Sequence, residues 1–146
     1  MNIVRPTLAD FHDIRQQCCE FAAFLDYKHD YLPDEMTMAA LFANWAKNHV
    51  FLAAKDESGD ILGIICGEYI RHHWNPEKTL LIEHFWWTKP SARSRGVGRR
   101  LLEEYIARSA PVSAMRFHFE SKTPIESKIL EQHGFRHAET VFIKEF

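Results

Sequence analysis

The stretch Arg93-Ser94-Arg95-Gly96-Val97-Gly98-Arg99-Arg100 gathers four arginines and two glycines within eight residues. It follows a run of apolar residues, Leu80 to Thr88. It leads into Val97, Leu101, Leu102, Tyr105 and Ile106, which are spaced as on one face of a helix. A basic, glycine-containing turn that opens a helix is an anion site. The first N–H groups of a helix lack intrahelical partners, and the helix dipole adds partial positive charge there. Gly96 and Gly98 remove side chains, so a phosphate can approach the main chain.

The spacing discriminates between anions. A Walker loop ends in Gly-Lys-Ser/Thr, which is absent here. A dinucleotide-binding turn requires a third glycine at residue 101, which is Leu, and an acidic residue near 118, which is His. Neither nucleotide motif fits. The plain alternative is a solvated helix cap with no ligand.

The elements that must hold this turn can be read along the chain. Residues 2–5 predict a first strand, with a turn at Pro6-Thr7. The helical spacing of Leu8, Phe11, Ile14, Cys18, Phe21, Ala22 and Leu25 predicts a helix. A second helix is expected from Asp34 or Glu35 to about Lys47, burying Met38, Leu41, Phe42 and Trp45. Val50–Ala54 and Ile61–Ile70 flank the turn cluster Asp56-Glu57-Ser58-Gly59-Asp60 and predict a hairpin. Leu80–Thr88 is apolar on both faces, as in a strand covered on both sides. A helix from Gly96 to about Ala110, a strand at Ala114–Phe119, and a helix from Pro124 to His133 stopping at Gly134 follow. One or two strands are expected between Phe135 and Phe146. The order β-α-α-β-β-β-α-β-α-β(β) implies a mixed, twisted sheet with helices on both faces and a crossover through the third helix.

The 146 residues suit one domain, read as 1–146, and 46% of them are hydrophobic, enough for one core. A net charge of −2 does not suggest a broad nucleic-acid surface. No apolar run reaches the ~20 residues of a membrane span, and the opening Met1-Asn2-Ile3-Val4-Arg5-Pro6 lacks a signal pattern. Cys18, Cys19 and Cys66 read as reduced thiols of a cytoplasmic protein, and no spacing marks a metal site. His72-His73 with Trp74 reads as a polar connecting loop.

Residues 93–98 match the pattern Arg/Gln-x-x-Gly-x-Gly/Ala, and the chain resembles the GNAT acyltransferases. Ile3-Val4-Arg5-Pro6-Thr7 with Asp10 is similar to the family's opening, and Gly134-Phe135 followed by Ile143-Lys144 to its ending. The resemblance implies an α/β (α+β) fold with a largely antiparallel sheet of six or seven strands and about four helices. It implies coenzyme A held at Arg93, Ser94, Arg95, Gly96, Val97, Gly98 and Arg99. It implies that the pantetheine arm pairs with backbone at Trp86, Trp87 and Thr88, where the tryptophans could equally be plain core. Thr123 stands where the family often has a cofactor-contacting Asn. Leu130 stands where many members have the Tyr that protonates the departing thiolate, with Ser127 and Tyr69 as substitute donors.

The activity so implied is acetyl (acyl) transfer from acetyl-CoA to a primary amine by direct attack, without a metal. The alternative is a non-catalytic or weakly catalytic acyl-CoA-binding, regulatory module. The acceptor is an amine-bearing small molecule, peptide or protein. Neither nucleic acid nor membrane is a partner, and a homodimer is left open. Glu20, Asp26, Asp30, Asp34 and Glu35, with Tyr27 and Tyr31, lie where the family walls its acceptor pocket, so a cationic acceptor is expected. An alkyl ammonium has a pKa of ~10, so attack requires a base, and His is the natural choice near neutrality. Strand alternation puts Leu80, Ile82, His84, Trp86 and Thr88 on one face and makes His84 the expected base. Glu83, on the other face unless a bulge shifts the register, is the second candidate.

Overall fold

The computed structural model describes residues 1–25, 32–118 and 127–138 of the chain. Runs of β-branched and aromatic residues form five strands: β1 (Asn2–Val4), β2 (Val50–Lys55), β3 (Ile61–Arg71), β4 (Thr79–Thr88) and β5 (Ala114–Arg116). They lie side by side in the order β1-β2-β3-β4-β5. The first three pairings are antiparallel, and β5 runs parallel to β4. The helices are α1 (Phe11–Leu25), α2 (Glu35–Asn48), α3 (Val97–Arg108) and α4 (Ser127–Glu131). The hairpin and the β4-α3-β5 crossover agree with the sequence reading.

Some boundaries differ. Six or seven strands were expected, and five occur among the described residues. Residues 135–138 form no strand, and 139–146, including Ile143 and Lys144, lie outside the described residues. A 3-10 turn at Leu8–Asp10 precedes α1 and leaves Leu8 72% exposed, off the buried face assigned to it. Leu41 is exposed too, because α2 buries only the stripe through Met38 and Phe42.

The sheet separates two apolar layers. Leu52, Ile65, Leu81 and Trp86 pack with Leu101, Leu102 and Tyr105 of α3. Phe51, Ile64, Phe85 and Trp87 pack with Phe11, Ile14 and Phe42 of α1 and α2. Burial would raise the Asp10 carboxyl, but Lys55 Nζ at 2.5 Å and the Thr7 N–H at 2.8 Å hold it below its ordinary range. This contact fixes the start of α1 to the end of β2.

The feature that governs the site is a β-bulge. Cys66 pairs with Phe85, but Gly67 pairs with Glu83, so His84 is an extra residue on β4. The alternation of faces changes there. Leu81 and Glu83 belong to the α3 side, and so do Trp86 and Thr88. His84 stands beside Trp45 on the α1/α2 side, together with Phe85 and Trp87. The expectation that His84 shares a face with Trp86 and Thr88 is therefore corrected. Simple alternation fails because one strand carries one residue more than its partner.

Gly67 lies at the bulge because nothing larger fits. A Cβ there would stand 1.8 Å from the Tyr105 hydroxyl and 2.9 Å from the Ile82 carbonyl. Gly67→Ala should therefore lower stability by about 1–3 kcal/mol or more through overpacking. An unchanged urea midpoint for that variant would show that Tyr105 does not occupy this space.

Candidate functional site

The turn before α3 has an uncommon backbone. Ser94 adopts φ 64°, the only non-glycine residue with positive φ among those described, and Gly96 adopts φ 74° as the N-cap. A glycine carries no Cβ penalty in this left-handed region. No side chain caps α3, and its first backbone bond runs from the Arg100 N–H to the Gly96 carbonyl. The N–H groups of Val97, Gly98 and Arg99 are left over by the helix ladder, at the positive end of its dipole.

Beside this helix end, β4 has a free edge. β5 pairs only with Leu80, Leu81 and Ile82. The Lys89 N–H donates to the Leu62 carbonyl, so by strand alternation the peptide groups of Trp86 and Thr88 point away from β3. Among the described residues no strand pairs with that edge. A cleft of about 580 Å³ opens there. Trp86, Val97, Gly98 and Ile129 line one side, and Phe21, Phe24, Trp87 and Arg93 the other, with Thr88, Ala92, Ser94, Gly96 and Arg99 between.

The four arginines of the turn have separate fates. Arg93 lies over the Trp87 ring at 4.7 Å and the Phe24 ring at 5.9 Å, and its Nε donates to the Thr88 carbonyl at 3.3 Å. Arg99 reaches the cleft while its Nε donates to Glu103 at 2.9 Å. Arg100 turns toward the Met1 carbonyl. Arg95 is exposed and does not line the cleft. Ionic attraction at this site is therefore carried by fewer side chains than the sequence count implies, and the backbone carries more of it.

Trp86 and Trp87 are buried, and among the described residues neither indole nitrogen has a hydrogen-bond partner. Such donors cost on the order of 1–3 kcal/mol each. Phe21, Phe24, Ala92 and Ile129 complete the cleft and were not among the expected site residues. Phe21 was visible only as one apolar position of a helix, and nothing in its spacing separates a cleft wall from core. Thr123 lies outside the described residues.

The candidate bases sit on opposite faces. Glu83 is 6% exposed, and its Oε2 accepts the His118 N–H at 3.3 Å. Burial, and then the nearby Glu83 charge, push the Tyr105 hydroxyl pKa upward. His84 is exposed, and its Nε2 stands 2.9 Å from Glu68 Oε2 on β3. Leu130 is buried in the core of the α3 layer, Ser127 Oγ donates to Glu131, and Tyr69 accepts the Ala110 N–H past the far end of α3. Tyr69 and Ser127 do not line the cleft.

Of the acidic residues, Asp34 caps α2, Glu35 stands 4.0 Å from His12, and Gln16 donates to Glu20. Asp26, Tyr27, Asp30 and Tyr31 lie outside the described residues. His72, His73 and Trp74 connect β3 to β4, and the two imidazoles stack at 5.2 Å.

A sequence profile described as "Acetyltransferase (GNAT) family" matches residues 8–126. The chain belongs to that family. Solved structures of similar fold include a transcriptional regulator from Bacillus halodurans C-125, with 16% identity, 99% of each chain covered and a TM-score of 0.79. A "probable acetyltransferase" has 20% identity, full coverage of both chains and a TM-score of 0.75. A "predicted acetyltransferase with acetyl-CoA" from Clostridium acetobutylicum has 11% identity, a TM-score of 0.75, and coverage of 99% of this chain and 95% of that one. At these identities the likeness is one of fold. No curated protein matches the sequence. Among the described residues, no helix of this GNAT chain is long and apolar enough to cross a membrane.

The Arg93 contacts tie the turn to the aromatic wall. Arg93→Lys keeps the charge but loses the planar stacking surface. It should lower stability by about 0.5–1 kcal/mol, the scale of a partly exposed cation–π contact. Urea denaturation measures this, and an unchanged midpoint would mean that the stacking contributes nothing.

Proposed function

We propose that this GNAT chain transfers an acetyl group from acetyl-CoA to a primary amine by direct attack in a ternary complex. The observation that carries the reading is the uncapped N-terminus of α3 opening onto a cleft along the free edge of β4. The pyrophosphate lies against the N–H groups of residues 95 to 99, with Arg93, Arg95 and Arg99 adding charge. The pantetheine arm follows the outward peptide groups of Thr88 and Trp86. From Thr88 to His84 the strand advances about 13 Å at ~3.3 Å per residue, a distance an extended arm can cover.

His84 takes the proton of the attacking amine. The amine nitrogen bonds to the thioester carbonyl carbon, the C–S bond breaks, and the thiolate leaves with the electron pair. His84 is preferred over Glu83 because it is exposed, whereas Glu83 is buried and accepts the His118 N–H. Leu130, a hydrocarbon side chain, offers no donor at that position for the thiolate, so the thiolate takes its proton from solvent. The same fact favours the second reading, an acyl-CoA-binding module of little activity. Thiol release from acetyl-CoA across a panel of primary amines separates the two, because a binding module releases little or none with every amine.

Gly98 faces Thr88 Oγ1 and the Trp86 ring, with an added Cβ at 3.4 and 3.6 Å. A valine there would crowd the gap between α3 and β4, so Gly98→Val should weaken acetyl-CoA binding by about tenfold or more, a loss of about 1.4 kcal/mol. Unchanged affinity by calorimetry would exclude this cleft. His84→Ala should lower kcat by roughly 10²-fold or more with acetyl-CoA affinity kept, the usual scale of general-base catalysis. If His84→Ala retains kcat and Glu83→Ala loses it, Glu83 is the base.

A further inference from the structure

We infer that Glu68 is a positioning residue that holds the His84 imidazole with Nε2 protonated and Nδ1 free to receive a proton. The inference rests on the reading of His84 as the base. Glu68 is the only charged residue in the β3 run Ile61–Ile70. It pairs with Ile82 just before the bulge, and its side chain reaches the extra residue across from it. An ionised carboxylate only accepts hydrogen bonds, so the 2.9 Å contact requires the Nε2 proton, and in the neutral ring the lone pair is then on Nδ1.

A second imidazole stands behind the carboxylate. The Tyr69 N–H donates to His49 Nδ1 at 3.2 Å, which makes that nitrogen an acceptor and puts the neutral ring's proton on Nε2. His49 Nε2 then faces Glu68 Oε1 at 3.7 Å. Trp45 flanks the His84 ring at 6.1 Å. Glu68 is thus bracketed by one histidine whose Nδ1 is occupied and one whose Nδ1 makes no hydrogen bond among the described residues.

Stability does not account for this arrangement. Both side chains are more than a third exposed, and exposed ion pairs contribute only about 0–1 kcal/mol. Catalysis would use it in two ways. A fixed tautomer keeps one nitrogen aimed for proton transfer, and an adjacent carboxylate stabilises the imidazolium formed when the amine proton arrives. In a regular ladder His84 would lie opposite Cys66, but Phe85 takes that place and the bulge leaves His84 unpaired beside Glu68.

The test combines a spectroscopic and a kinetic measurement. Nitrogen chemical shifts of the His84 ring in labelled protein should report the Nε2–H form in the wild type, and Glu68→Ala should lose that preference. With acetyl-CoA and the most reactive primary amine of the panel, Glu68→Ala should lower kcat by roughly tenfold, part of the ~10²-fold or more supplied by the base. KM for acetyl-CoA should stay unchanged, and His84→Ala/Glu68→Ala should be no slower than His84→Ala alone. A wild-type ring in the Nδ1–H form, or additive losses in the double variant, would overturn the inference. If His84→Ala keeps its activity or no amine reacts, the base reading fails, and the tautomer measurement still decides whether Glu68 holds the ring.

Discussion

One extra residue in β4 sets the geometry on which the site depends. Up to the bulge, even-numbered side chains of β4 face α1 and α2. Beyond it, odd-numbered ones do. Both faces of the strand can therefore carry apolar side chains while His84 stays clear of the ladder. Tyr105 enforces the irregularity from the α3 side, because its hydroxyl fills the space a side chain at residue 67 would need. Bulge, glycine and buried tyrosine form one unit, and none of the three can change independently.

The second constraint is where β5 stops. It pairs with three residues at the start of β4 and leaves the later half unpaired among the described residues. An unpaired edge between two apolar layers would be a liability in an ordinary sheet. Here the α3 turn, α1 and α4 close around it and leave a cleft. Lys89 at the end of β4 bonds Asp13 of α1 at 3.0 Å, which keeps the Phe21 and Phe24 wall opposite Trp87. The cleft is held by tertiary contacts at both ends, so its shape belongs to the scaffold rather than to one loop.

Much of this was legible in the sequence, and the reasons are local. Val97, Leu101, Leu102 and Tyr105 repeat at helical spacing and are buried. The glycine-arginine turn is a contiguous motif, so its place at the start of α3 follows from order alone. The element order and the hairpin around Gly59 follow from equally local signals. What could not be read depends on pairing across strands. Side-chain alternation in β4 counted correctly within each half and failed across the bulge, because a bulge is a relation between two strands. Glu68 had a weak signal, a charge inside the apolar run Ile61–Ile70, but its partner lies 16 residues away and is set by register. Phe21 and Phe24 gave only a hydrophobic helix face. The arginine count overstated the charge at the cleft, since Arg95 and Arg100 do not line it and Arg99 is paired with Glu103 of its own helix.

The bulge also divides the chemistry of the proposed reaction between two sides of one strand. Trp86, Thr88 and Gly98 meet on the α3 side, where the helix dipole and the leftover N–H groups favour an anion. His84, Glu68 and Trp87 stand on the other side, away from that field. A diphosphate and a basic nitrogen impose opposite electrostatic demands, because the positive potential that binds the first opposes protonation of the second. A strand that changes its parity midway meets both within about five residues, and its free edge lets an extended thioester lie between them. Regular alternation would have put His84 on the same face as the anion site. On this reading the irregularity in β4 is the means by which a short sheet holds the diphosphate of an acyl donor and a proton acceptor along one strand without letting either disturb the other.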